Sequence, residues 1–255
     1  MRERIESRFE PESKFSPELI EDLEKSPLLA DSEKLALLLM LAGEKPAVVH
    51  SLVLKFGSEQ KISEEKFIAE KNFMTDWLKR AGLFFSVKEK RIRGGVKGGF
   101  KSIVKLYDFN IARDKAALER LNHAHGKLEF GLALGYPYTA AAAFSKGHKF
   151  LMEHEDLPFD VKSSEIMDFL FFRLSKEHWH EELETVKRWS RAIKENFPDF
   201  YKKITDLRSK IDSLRSESPE EFGRFLRSED EMAIIKKRDP RLYEELVSER
   251  EDQVV

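Results

Sequence analysis

Between Ser86 and Lys105 the chain places seven cations, Lys88, Lys90, Arg91, Arg93, Lys97, Lys101 and Lys105, against a single carboxylate, Glu89. Four glycines, Gly94, Gly95, Gly98 and Gly99, sit among them. Glycine removes side chains, so backbone N–H groups can approach an anion closely. Phosphate contact requires cations that are not already paired, and this stretch has almost no carboxylate of its own. Phe100 and Tyr107 add rings on which a base could stack. The chemistry these residues suit is polyanion binding. A plainer reading is a solvated hairpin whose lysines block edge-to-edge aggregation.

Other arrangements fail on geometry. Gly94 and Gly99 have P-loop spacing, but Phe100 intrudes before Lys101-Ser102, where a P-loop needs Lys at once and then a helix. His123-Ala124-His125 and His178-Trp179-His180 are i,i+2 pairs. On a helix such pairs point about 200° apart and cannot converge on one ion. No His-Glu-x-x-His or Gly-x-Ser-x-Gly arrangement is present, and the chain has no Cys. That excludes disulfides, thiol nucleophiles and Cys-held metals. No catalytic residue, metal or cofactor is therefore expected.

The elements that must position the cations follow from hydrophobic period. Ser16-Pro17 opens a short helix, and Asp31 or Ser32 caps a second, ended by Gly43. Residues 48–56 are long enough for helix or strand, and Val48, Val49 and Val53 pull toward strand without deciding it. Ser63 caps a helix to Gly82, with Phe67, Met74, Trp77 and Leu78 inward. Leu83, Phe85 and Val87 then alternate, as do Tyr107, Phe109 and Ile111, so a β-hairpin forms around the glycine-rich loop. Asp114 caps a helix to His125. Two short helices follow, split by Gly135-Tyr136-Pro137. From 164 onward helices are expected at 164–174, 176–196, 199–215, 219–227, 229–237 and 240–250, with Ser218-Pro219 and Asp239-Pro240 as start signals. The fold class is α+β: mostly helical, with a small antiparallel β element in the N-terminal half and an all-helical C-terminal half. The expected divisions are an acidic arm 1–31, an α+β domain 32–147, a linker 148–161 and a helical domain 162–255.

Net charge is −2, but residues 1–31 carry −4 and residues 216–255 carry −5, leaving +7 on the body between them. A basic body between acidic ends is a statement about partners rather than fold. Charged residues make up 36%, above the usual ~25%, yet 41% are hydrophobic, enough for a real core. Amides are scarce: two Gln and four Asn. With no Cys and abundant Lys, Glu and Arg, this is the composition of proteins that must survive heat. No stretch approaches the ~20 apolar residues of a membrane span. The first residues also lack the apolar stretch of a secretory signal. A cytoplasmic location with no membrane partner is expected.

Two stretches carry a resemblance. One is Leu41-Ala42-Gly43-Glu44-Lys45-Pro46-Ala47. The other runs from Tyr107 through Ile111-Ala112-Arg113-Asp114 to Phe130-Gly131-Leu132-Ala133-Leu134-Gly135-Tyr136-Pro137-Tyr138-Thr139-Ala140 and Phe144. Together they resemble a prokaryotic, largely archaeal family of uncharacterised proteins, over roughly residues 35–145. The resemblance implies no catalytic residues. Size, composition and the basic finger are also similar to the archaeal ribosome dimerisation factor. That resemblance implies a homodimer that holds small subunits together and prevents association with the large subunit. Its partners would be ribosomal RNA or the small ribosomal subunit. The finger would make the RNA contact, and Phe169, Phe171, Phe172, Trp179 and Trp189 would offer surface for self-association. The alternatives are a small-molecule enzyme with a pocket near Gly135-Tyr136-Pro137, or a protein-binding helical adaptor.

Overall fold

A computed structural model describes residues 15–56, 64–93, 103–153, 156–158, 161, 164–238, 243 and 246–247. The expected cap at Ser63, the Asp239-Pro240 start, the helix at 240–250 and the outer parts of both acidic ends fall outside these residues, apart from 243 and 246–247.

Three strands form one antiparallel sheet in the order β1-β3-β2: β1 Ala47–Phe56, β2 Phe84–Arg93 and β3 Ile103–Ala112. The ambiguous segment is thus a strand. The choice follows from period two: Val48, His50 and Leu52 share one face, and the valines favour pleated backbone. That face also carries Phe85 from β2 and Tyr107, Phe109 and Ile111 from β3. Helices α2 (Asp31–Leu41) and α3 (Glu64–Arg80) cover it. The opposite face carries Ala47 and Ala112 and is covered at that end by α4 (Lys115–His123). Two further short helices follow, α5 (Gly126–Ala133) and α6 (Tyr138–Lys146).

Helix α1 (Pro17–Lys25) starts as the sequence directs, with the Ser16 side chain accepting from the Leu19 amide at 3.2 Å. Its Leu19 carbonyl accepts from the buried Trp77 indole on α3 at 2.9 Å. The second helix caps one residue earlier than expected, at Ala30. Glu33 reaches back to the Ala30 N–H at 2.8 Å, and Asp31 instead pairs with Lys203.

The C-terminal half contains α7 (Trp179–Asn196), α8 (Pro198–Glu217), α9 (Pro219–Arg227) and α10 (Glu229–Arg238). No helix forms over 164–174. A 3-10 turn at Glu165–Phe169 gives way to extended chain. Phe171 and Phe172 both reach the Trp189 ring, at 6.0 and 5.7 Å between centroids. Adjacent helical residues point 100° apart, so extended backbone suits two neighbours converging on one ring. Ser175 then binds the buried Glu182 carboxylate through both its N–H and its Oγ, at 2.7 and 2.6 Å, and α7 begins only at Trp179.

One apolar cluster takes residues from both sides of the 148–161 stretch, from Leu19 and Leu23 to Phe200 and Tyr201, and Leu157 within that stretch belongs to it. A second, smaller cluster joins Ile211, Phe222, Phe225, Leu226, Met232, Ile235 and Leu246. Phe169, Phe172 and Trp189 are buried inside the first cluster, with Phe171 and Trp179 half-buried against it. The rings assigned to self-association are therefore core residues. Their aromatic mass is needed to fill a large interior, which a count of residue types cannot distinguish from an interface.

The Gly135 turn is fixed by contact as well as by φ. Its φ is +79°, and a Cβ there would lie 2.5 Å from Pro46 Cδ. Gly135→Ala should therefore cost about 2–4 kcal/mol, from left-handed backbone and overpacking together. Thermal melting should show a fall of roughly 2–4 °C for each kcal/mol. An unchanged midpoint would mean that the turn does not press on Pro46.

Candidate functional site

The predicted site residues lie on β2, β3 and their connection. Pairing of β2 with β3 makes the expected hairpin, with Lys88 opposite Asp108 and Arg91 opposite Lys105. Positions 88 and 90 fall on the face with Ser51 and Asp108, whereas 91, 93 and 105 fall on the face with Phe109. The cations are thus divided between both faces. Lys97 and Lys101 lie outside the described residues, as do the side chains of Lys90, Arg91, Arg93 and Lys105. Lys88 is exposed and makes no ion pair among the described residues.

What leaves Lys88 open is the reach of the covering helices. On the core face, α3 extends as far as Tyr107, where Phe67 packs at 5.3 Å and the Lys71 ammonium sits 4.6 Å from the ring. On the other face, α4 stops at the Asn110 row. There Asn122 Oδ1 accepts from Asn110 Nδ2 at 2.8 Å and from Ser86 Oγ at 2.9 Å. In the next row Ser51 donates to Asp108 at 2.7 Å, and both Ser51 and Lys88 face solvent.

Two buried charged groups that residue type alone does not single out lie on the covered side: His50 in the row next to Lys88 but on the opposite face, and Lys45 just before the start of β1. His50, 5% exposed, lies between two carboxylates. Its Nδ1 is 2.9 Å from Glu33 Oε1, and its Nε2 is 3.5 Å from Glu70 Oε1 without good hydrogen-bond geometry. Burial alone would push the imidazole down, but the hydrogen bonding and charge of the two glutamates outweigh it and hold it up at about 9. Burial would likewise raise Glu33. Its hydrogen bond to His50, the His50 charge and the Ala30 N–H prevail and keep it below the usual carboxylate range.

Lys45 is 2% exposed, and its ammonium has no hydrogen-bond partner. Nζ sits 4.3 Å from the Tyr136 ring centroid, 4.6 Å from Trp189 and 5.6 Å from Phe171. Burial pushes its pKa down to about 7, while the ring faces favour the ammonium and pull the other way. The Trp189 indole N–H is also buried without an acceptor. The backbone around Lys45 is pinned: its N–H and that of Glu44 both donate to Leu39 O, Arg113 Nη1 donates to Gly43 O at 2.9 Å, and Glu44 pairs with Arg188 at 2.7 Å. The two stretches that carried the family resemblance therefore meet here, with Gly135 on Pro46 and Tyr136 on Lys45. A lysine between Gly43 and Pro46 reads as a surface residue. The rings that enclose it stand some 90 to 140 positions along the chain.

Among the described residues no group of three or more His, Asp or Glu is placed to hold a metal ion. His178 caps α7 beside Glu181, and His180 lies against Trp179. No described helix is long and apolar enough to cross a membrane. A cleft of about 600 Å3 lies between the α1–α2 connection and the start of α8. Two of its lining cations are engaged within it, Lys34 with the Glu24 carbonyl and Lys203 with Asp31. No family model, no curated protein and no solved structure matches this chain.

The two buried bases oppose each other in pH dependence. His50, raised above its unfolded value of 6.5, contributes stability that is complete below about 6.5 and is lost as pH rises to about 9. Lys45, lowered from 10.5 to about 7, carries a penalty that shrinks as pH rises from 7 to 10.5. Between pH 7 and 9 the two slopes cancel. Relative to wild type, His50→Gln should gain about 1.4 kcal/mol of unfolding free energy per pH unit in that window, and Lys45→Met should lose about as much. Urea titrations at pH 7, 8 and 9 measure both slopes. Differences independent of pH would show that neither group titrates as described.

Proposed function

We propose that the protein is a non-catalytic RNA-binding factor that contacts ribosomal RNA or the small ribosomal subunit through the β2–β3 hairpin and acts as a homodimer. One observation carries the reading. Among the described residues no helix contact is seen on the Lys88 face past the Asn110 row, and Lys88, the first cation of a run of +6 in twenty residues, is exposed with no ion pair. Phosphate neutralisation needs cations in that condition. With cations divided between both faces, a groove wall could be met on either side of the hairpin. Phe169, Phe172 and Trp189 are in the core, so self-association through this group would rest on the half-buried Phe171 and Trp179 or use another surface.

Charge reversal tests the reading. Arg93→Glu with Lys97→Glu and Lys101→Glu should reduce co-sedimentation with small ribosomal subunits. The slope of log affinity against log salt should become shallower by about 1 for each phosphate contact removed. Binding and slope equal to wild type would take the hairpin out of the mechanism. Light scattering of the purified chain reports the homodimer, and a monomer mass at micromolar concentration would remove that part.

A second reading, an enzyme centred on the Gly135-Tyr136-Pro137 turn, is favoured by the buried, unpartnered Lys45 amine beneath Tyr136. An amine depressed to about 7 is half neutral at that pH and nucleophilic, as Schiff-base lysines are. Because Nζ is enclosed, this reading also requires the turn to open to a small carbonyl compound; borohydride reduction in the presence of a small aldehyde, read by peptide mass, should then mark Lys45 as well as the exposed lysines. Labelling of surface lysines alone would end this reading.

A further inference from the structure

Helices α5 and α6 invert the usual burial order. They bury their small residues against each other and the body: Gly131, Ala133, Ala140, Ala141 and Ala143. A Cβ on Gly131 would stand 2.9 Å from Ala141 Cβ, so only glycine permits this approach. The large residues are turned outward. Phe130, Leu132 and Phe144 are each 40% exposed and Tyr138 is 65% exposed. Phe130 and Leu132 leave α5 on different sides, so the grouping that matters is the one rings make with neighbouring cations.

Cations accompany these rings. The Lys127 ammonium lies 5.0 Å from the Phe144 ring centroid. Those of Lys146 and Lys149 lie 5.7 and 5.0 Å from the Phe150 ring. All three lysines are exposed, and none forms an ion pair among the described residues. Residues 120–150 contain four Lys or Arg and one carboxylate, Glu129, which is engaged with the His125 N–H at 2.7 Å. The strip therefore groups rings with ammoniums that form no ion pair among the described residues: Phe144 with Lys127, and Phe150 with Lys146 and Lys149.

We infer that this strip binds single-stranded RNA, its rings stacking unpaired bases and its ammoniums meeting the intervening phosphates. The inference rests on the RNA-binding reading above and adds a second surface with a different preference. An apolar protein partner would have to desolvate three ammoniums with no carboxylate to receive them, which is costly. A polyanion with flat faces satisfies rings and cations together, as in sequence-tolerant single-strand binders. A duplex hides its base faces and so cannot use the rings. The hairpin, by contrast, needs only phosphates.

The test compares three forms of the full chain by fluorescence anisotropy: wild type, a strip variant (Lys127→Glu, Phe144→Ser, Lys149→Glu) and the hairpin variant described above. The probes are a labelled 20-nucleotide oligouridylate, its deoxythymidylate counterpart and a 20-base-pair RNA duplex. Lys127, Phe144 and Lys149 are exposed, and an unchanged circular dichroism melt confirms folding of each variant. The strip variant should bind both single strands at least tenfold more weakly while holding the duplex within twofold of wild type. Single-strand binding unchanged in the strip variant overturns the inference. Wild-type protein that binds duplex but neither single strand overturns it too, and leaves the hairpin reading standing. Protein that binds none of the three probes overturns both.

Discussion

An ammonium held against three ring faces, with no hydrogen-bond partner, joins the two halves of this chain. Lys45 stands at the entrance to the first strand. Tyr136 comes from the α5–α6 connection, and Phe171 and Trp189 come from the C-terminal half. Burying a lone cation is among the costliest things a protein can do. It persists here because the ring faces offset part of that cost, because the amine sheds its proton as pH rises past about 7, and because the apolar stem of the lysine fills core volume. Removing any one ring would leave the cation with the cost and less of the return. The three segments are thereby obliged to pack together.

That obligation gives the sheet two unlike ends. At the Ala47–Ala112 end, Lys45, the Glu33–His50–Glu70 group and the Asn110–Asn122–Ser86 network tie strands to helices with buried polar contacts. Such contacts are specific because they are expensive when incomplete. Toward the other end, among the described side chains, helix contacts run as far as Tyr107 on one face and Asn110 on the other. The cations begin where cover ends. Placing them one or two rows earlier would bury unpaired charge, so fold and charge pattern agree. The basic hairpin follows from where the anchors lie, and the α5–α6 surface stands on the same anchor through Tyr136 and Gly135.

Much of the fold was legible because it rests on local rules. Ser16-Pro17 and Asp114 cap helices, Gly43 and Gly135 take positive φ, and the alternation of Phe85 and Val87 with their neighbours marks a strand. The pairing of β1 with β3 was not legible, since 47–56 is short and apolar and its partner lies more than fifty residues away. The segment 164–174 was misread as helix because its apolar density, without regular period, resembles one face of a helix. Phe171 and Phe172 in fact share the Trp189 target. The basic hairpin was visible as composition. Lys45 and His50 were not, because burial is a tertiary property and each is an ordinary residue type in an ordinary context. The α5–α6 strip was hidden by the opposite expectation, that Phe faces inward and Ala is indifferent.

The clamp itself can be observed directly. With the side chain labelled at Cε, nuclear magnetic resonance titration from pH 5 to 11 follows Lys45 beside every other lysine. Three rings at these distances should move its methylene protons upfield. The amine should titrate well below the surface lysines, near 7 rather than near the usual ~10.4. A Lys45 signal with unshifted protons that titrates together with the exposed lysines would mean that the cation is not enclosed, and the coupling of the two halves through it would be wrong.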